Sequence, residues 1–138
     1  MAKSRAPVCR AAFWLRNSKD ENHQARSFRT GPPTDAPTCS RSKGGVGTLR
    51  LNVAGSACAP PSSAAAYIFN ATVVPPGRMP YLTLWPDGEP QPTVSTLNAL
   101  DGFITSNMAI VPTNNGSIDA YAAGLTQLIL DISGYFAQ

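Results

Sequence analysis

The chain has 138 residues, a formal net charge of +3, only 14% charged residues and 43% hydrophobic ones. That length fits one domain with a real core, and no stretch approaches the roughly 18 apolar residues that a membrane-spanning helix needs. Thirteen prolines and eleven glycines exclude long helices and favour short strands joined by tight turns.

Residues 1–45 carry nine basic side chains against three acidic ones, a net +6, whereas residues 46–138 carry two against five, a net −3. The basic character therefore belongs to the N-terminal segment, which reads as a solvated, irregular stretch. No nucleic-acid partner is expected. A short helix is possible at 11–16. Gly31-Pro32-Pro33 and Asp35-Ala36-Pro37 cannot continue a helix, and 40–47 is a Gly/Ser/Lys linker. The apolar run at 8–15 is interrupted by Cys9-Arg10 and followed at once by Arg16, so no export signal is visible. The organisation expected is an irregular basic segment over 1–47 and a β-module over 48–138.

From residue 48 the pattern changes. Leu49, Leu51 and Val53 alternate with Thr48, Arg50 and Asn52, as in a half-buried strand over 48–54. A loop with Pro60-Pro61 follows. A second strand, 65–74, places Tyr67, Phe69, Ala71 and Val73 on one face. Pro75-Pro76-Gly77 turns the chain into a third strand, 81–85, closed by the turn Pro86-Asp87-Gly88. Residues 93–97 suggest a short edge strand. A strand over 103–111 offers Ile104, Met108 and Ile110 to the core. Asn114-Asn115-Gly116 has the chemistry of a hairpin turn, with 117–122 as the returning partner. The last strand, 127–136, is apolar on both faces in part, as a central strand would be. Strands every 8–12 residues predict an all-β fold, an antiparallel β-sandwich of about seven strands over 48–138.

Several segments resemble, in order, a repeated β-rich module of secreted and cell-surface bacterial proteins. These are Asn70-Ala71-Thr72-Val73, Leu82-Thr83-Leu84-Trp85-Pro86, Ser95-Thr96-Leu97-Asn98, Ala109-Ile110-Val111-Pro112 and Asp131-Ile132-Ser133-Gly134-Tyr135-Phe136. The resemblance covers about 49–136. Members also carry an upstream Cys-Arg, echoed by Cys9-Arg10, but Ala11-Ala12-Phe13-Trp14 replaces the residues usual after it in the family. The resemblance implies a non-enzymatic module of multi-domain surface proteins, without an agreed ligand.

No constellation points to catalysis. His23 is the only histidine and lies in a polar stretch, so neither a Ser-His-Asp arrangement nor a Cys58–His23 pair is supported. Asp87 and Glu89 are near each other, but turn chemistry accounts for Asp87. The glycines at 44–47 lack the Lys-Ser/Thr ending of a phosphate loop. Asn70-Ala71-Thr72 and Asn115-Gly116-Ser117 are glycosylation sequons that matter only in a eukaryotic secretory host. With one histidine and no Cys-x-x-Cys, no metal or other cofactor is expected. The cysteines are Cys9, Cys39 and Cys58; in an exported protein one disulfide is expected, Cys9–Cys58 first and Cys39–Cys58 next, and in the cytosol all three would be thiols. Asp131, amid apolar residues of the last strand, must be hydrogen-bonded, with turn amides as the expected donors and calcium the alternative.

The sequence supports two functional classes. The first is an extracellular structural or adhesive surface module, one unit of a larger assembly, whose partners are neighbouring modules or copies of itself, with the first and last strands open to edge addition. The alternative is a carbohydrate-binding module that contacts cell-surface polysaccharide through Tyr81, Trp85 and Tyr121. Burial of Trp85 in the sandwich core would favour the first, and its exposure the second.

Overall fold

A computed structural model describes residues 9–15, 48–56 and 58–137, with only the backbone for Cys9 and for 11–15. His23, Cys39 and the glycine stretch at 44–47 lie outside these residues. Eight strands are described: β1 (Cys9–Leu15), β2 (Thr48–Asn52), β3 (Ala64–Val74), β4 (Met79–Pro86), β5 (Leu97–Ala99), β6 (Thr105–Pro112), β7 (Ser117–Ala122) and β8 (Thr126–Ala137). They form two four-stranded antiparallel sheets, ordered β1-β8-β3-β6 and β2-β7-β4-β5. The expected β-sandwich is thus present, with seven strands within 48–138. The eighth, β1, comes from the segment expected to be irregular, where the sequence allows a helix at 11–16; Cys9–Leu15 is instead extended along β8.

Alternation builds the core. β3 turns Tyr67, Phe69, Ala71 and Val73 inward, each at most 1% exposed, as its sequence predicts. Opposite them, the inner face of the other sheet offers Leu51, Leu82, Leu84 and Ile118. Burying such side chains contributes roughly 1.5–3 kcal/mol each before entropy is charged. Tyr67 keeps its polar end satisfied, with its hydroxyl donating to the Pro61 carbonyl at 2.9 Å.

The inward face of β6 differs from expectation. Met108 and Ile110 are 67% and 54% exposed, and Ile104 precedes the strand and is also exposed; Ala109 and Val111 are buried instead. The register supplies the reason. Val111 stands opposite Tyr67, and Ala109 opposite Phe69. The two rings, 5.9 Å apart, fill the space between the sheets, so their neighbours must be small.

Pairing also departs from the local signals. β6 and β7 are not a hairpin: the chain crosses from one sheet to the other at 113–116, and β7 pairs with β2 and β4. Gly116 does take a positive φ of 78°, but Thr113 shapes the crossing, its hydroxyl accepting from the Gly116 amide and donating to the Ser117 carbonyl, both at 3.0 Å. A Cβ on Gly116 would lie 2.6 Å from that of Ala54. The last strand, β8, is flanked by β3 and, over residues 126–132, by β1, and so is not an edge strand there, unlike β2, which pairs only with β7 among the described strands.

The β6 register makes a direct comparison. Val111→Ala should cost about 2 kcal/mol, from two buried methyl groups and a small cavity, whereas Ile110→Thr keeps the β-branch and should change stability by less than about 0.5 kcal/mol. Urea denaturation of both variants checks the assignment, and the reverse order of effects would invert the strand.

Candidate functional site

Sheet β2-β7-β4-β5 carries the residues singled out as glycan contacts, on its outer face. Since Leu82 and Leu84 enter the core, the period of two places Tyr81, Thr83 and Trp85 on the opposite side of β4. β7 adds Asp119 and Tyr121, and β2 adds Thr48 and Arg50, in the register Arg50–Asp119–Trp85 and Thr48–Tyr121–Thr83. Tyr81 and Tyr121 come together half-buried, with ring centroids 5.7 Å apart and planes inclined by 35°. Burial raises the Tyr81 hydroxyl above the ordinary tyrosine range, and the neighbouring Tyr121 adds to this by charge and hydrogen bonding.

Trp85 does not join them as an open platform. It is only 4% exposed, yet it stands outside the core cluster between the sheets. The chain after β4 folds back over the outer face and covers it. The indole Nε1–H donates to the Glu89 carbonyl at 2.9 Å, and the fully buried Thr83 hydroxyl donates to the Val94 carbonyl at 2.7 Å. The Leu84 amide donates to Thr96 Oγ1 at 3.0 Å, and the Thr96 amide to the Leu82 carbonyl at 2.7 Å. Residues 93–95, read as the start of an edge strand, are therefore part of this cover, and β5 begins only at Leu97. Trp85 thus lies neither in the inter-sheet core nor at the surface; it anchors the covering loop.

Beside Tyr81, the loop leaves an open groove of about 460 Å³, lined by Tyr81, Gln91, Pro92, Thr93, Val94, Ser95 and Asn98. Among the described residues, no charged side chain lines it. Asn98 donates to the Pro80 carbonyl at 2.6 Å and accepts from the Ser95 hydroxyl at 2.9 Å, which fixes one wall.

At the other end of the face, Asp87 opens the turn that follows β4. Its Oδ2 accepts from Arg50 Nη2 and from Asn115 Nδ2, both at 2.7 Å. Burial raises the Asp119 carboxyl above the usual carboxylate range, and the charge of Asp87 adds to that; the Gly88 amide and Arg50 oppose it. Among the described residues, no group of three or more His, Cys, Asp or Glu side chains is placed to hold a metal ion.

On the other sheet, the partner of Asp131 among the described residues is a side chain, not turn amides. Arg10 of β1, its register neighbour, donates from Nε to Oδ1 at 2.8 Å. The carboxylate in turn raises the Arg10 guanidinium, first by hydrogen bonding and then by charge. Sequence reading missed this partner because Arg10 lies in the segment expected to be irregular. Cys58 is disulfide-bonded. The expected Cys9–Cys58 pairing involves a side chain outside the described residues, although the Cys9 backbone opens β1.

Compared with known protein families, curated proteins and solved structures, the chain finds no match.

This geometry has two measurable outcomes. A folded-state carboxyl raised above its unfolded value costs stability once both states ionise, and the cost disappears as pH falls through the folded value toward the unfolded one. Asp119→Asn should therefore raise Tm at pH 7, with the gain fading as pH drops into the ordinary carboxylate range; thermal melts from pH 7 to pH 3 measure it. Trp85→Ala should destabilise the chain by about 3–5 kcal/mol, as denaturant unfolding would reveal; a surface role would leave stability unchanged.

Proposed function

We propose that this chain is a non-enzymatic structural or adhesive module of an extracellular surface, one unit of a larger assembly built with neighbouring modules or copies of itself. The observation that carries this reading is the undefended edge at β6. This strand pairs only with β3 among the described strands, and its sequence, Thr-Ser-Asn-Met-Ala-Ile-Val-Pro, contains no charge. Edge strands of monomeric proteins are commonly blunted by lysines or other charges. Here Met108 and Ile110 stand exposed on the outer face instead, and Phe103 and Ile104, 72% and 68% exposed, lead into the strand. In register, Ile110 adjoins Ile68, while Pro112 adjoins Ala66 and through it Phe136, which extends an apolar surface over three strands. Surfaces of this kind mark interaction sites in soluble proteins, and an edge with free backbone groups suits addition of a strand from a partner.

The disulfide at Cys58 supports an oxidising, extracellular setting. The resemblance to modules of bacterial surface proteins points the same way. No helix of the described residues is long and apolar enough to cross a membrane.

Sedimentation of the full chain over a hundredfold concentration range tests the assembly role. Reversible self-association is expected, and the double variant Met108→Lys, Ile110→Lys should abolish it with Tm unchanged. A wild-type chain that stays monomeric throughout would remove copies of itself as the partner.

A further inference from the structure

We infer that the groove between Tyr81 and residues 91–95 is a binding site for a neutral polysaccharide chain. The inference is independent of the assembly reading, because the groove lies on the outer face of the β2-β7-β4-β5 sheet and β6 belongs to the other sheet.

Three properties select the ligand. The first is shape. The volume, about 460 Å³, is within the range of sites for small molecules, and the groove is open, as a passing polymer requires. The second is the aromatic floor. It is the half-buried ring of Tyr81, against which Tyr121 packs at 5.7 Å from outside the groove lining; its electron-rich face attracts the C–H edges of a pyranose as it attracts other positive edges. The third is the polar rim. The Gln91 amide and the Thr93 hydroxyl are exposed and make no hydrogen bond to other described residues, so a donor–acceptor amide and a hydroxyl remain available for sugar hydroxyls. The absence of charge among the described residues that line the groove disfavours an acidic glycan, which would need a cation to replace its solvation. A proline-rich peptide is the competing occupant of an aromatic groove, but the free amide and hydroxyl serve a hydroxyl-rich chain better than a side chain lacking donors.

The rim is also held in place. Thr83 fastens it at Val94, Trp85 fastens the same loop at Glu89, and Ser95 and Asn98 brace the far wall. A preformed site loses less conformational freedom on binding than a loop that must first order. Trp85 therefore acts through the loop it anchors and not through contact with sugar.

The test is isothermal titration of the full chain with soluble hexasaccharides of β-1,4-glucan, β-1,3-glucan, xylan, mannan and chitin, with oligogalacturonate and a proline-rich decapeptide alongside. Binding of at least one neutral hexasaccharide is expected. Tyr81→Ala and Gln91→Ala should each weaken it tenfold or more, and Tyr81→Phe, which keeps the ring, should retain it. Gln91 is exposed and makes no hydrogen bond to other described residues, so its variant decides the matter even where Tyr81→Ala fails to fold. No binding of any neutral hexasaccharide, binding confined to oligogalacturonate or to the decapeptide, or sugar binding unchanged in Gln91→Ala would overturn the inference.

Discussion

The packing of Tyr67 and Phe69 on β3 sets the rest of the architecture. Their rings meet at 5.9 Å with planes inclined by 58°, and both are almost wholly removed from solvent. Because β3 lies between β6 and β8, their bulk dictates what either neighbour can contribute. Beside them β6 supplies only Ala109 and Val111, and the period of two then sends Met108 and Ile110 outward. The apolar outer surface of the sheet is thus the geometric consequence of large residues filling its inner one. Tyr67 reaches further still, since its hydroxyl ties down Pro61 and with it the loop that holds the bonded Cys58.

The second sheet shows another arrangement. Its inner face packs into the sandwich while part of its outer face is roofed by the chain between β4 and β5. A half-exposed strand would normally carry polar residues outside, but here Thr83 is fully buried and Trp85 nearly so. The cost of hiding these groups is offset by hydrogen bonds: each buried side-chain nitrogen or oxygen among the described residues has a partner. Roof and sheet together form a stiff support, and the groove beside Tyr81 is borne on it. Catalytic and binding loops on other scaffolds obey the same logic of irregular chain on a rigid base.

Much of this was legible in the sequence. Alternation located β2, β3, β4 and β8 within one or two residues, and Pro86-Asp87-Gly88 marked a real turn, with Gly88 at a φ of 85°. The features that escaped were non-local. The Asn-Gly step specifies a tight bend but not whether the next strand stays in the same sheet. In β6 both alternate sets are apolar, so period alone could not say which faces inward; only the opposing rings decide. For Trp85, core and surface were the two readings, and a third, burial beneath its own loop, depends on hydrogen bonds to main-chain carbonyls that side-chain patterning cannot reveal. Tyr81 and Tyr121, grouped by the sequence reading, do meet; Gln91 and Thr93 carry no local signal that distinguishes them from an ordinary turn.

The pairing of β1 with β8 has a consequence for how the chain reaches this state. Arg10 and Asp131 are 121 residues apart, so the first described strand finds its place only against the last. The pairing of β3 with β6 spans far less chain, Val73 meeting Thr105 and Ala66 meeting Pro112. Loop-closure entropy grows with the intervening length, and chains dominated by distant contacts fold slowly. Closing β1 on β8 therefore costs more chain entropy than closing β3 on β6. Without β1, one side of β8 over residues 126–132 would be an unpaired ladder, and the Arg10–Asp131 ion pair is one of the contacts across that seam.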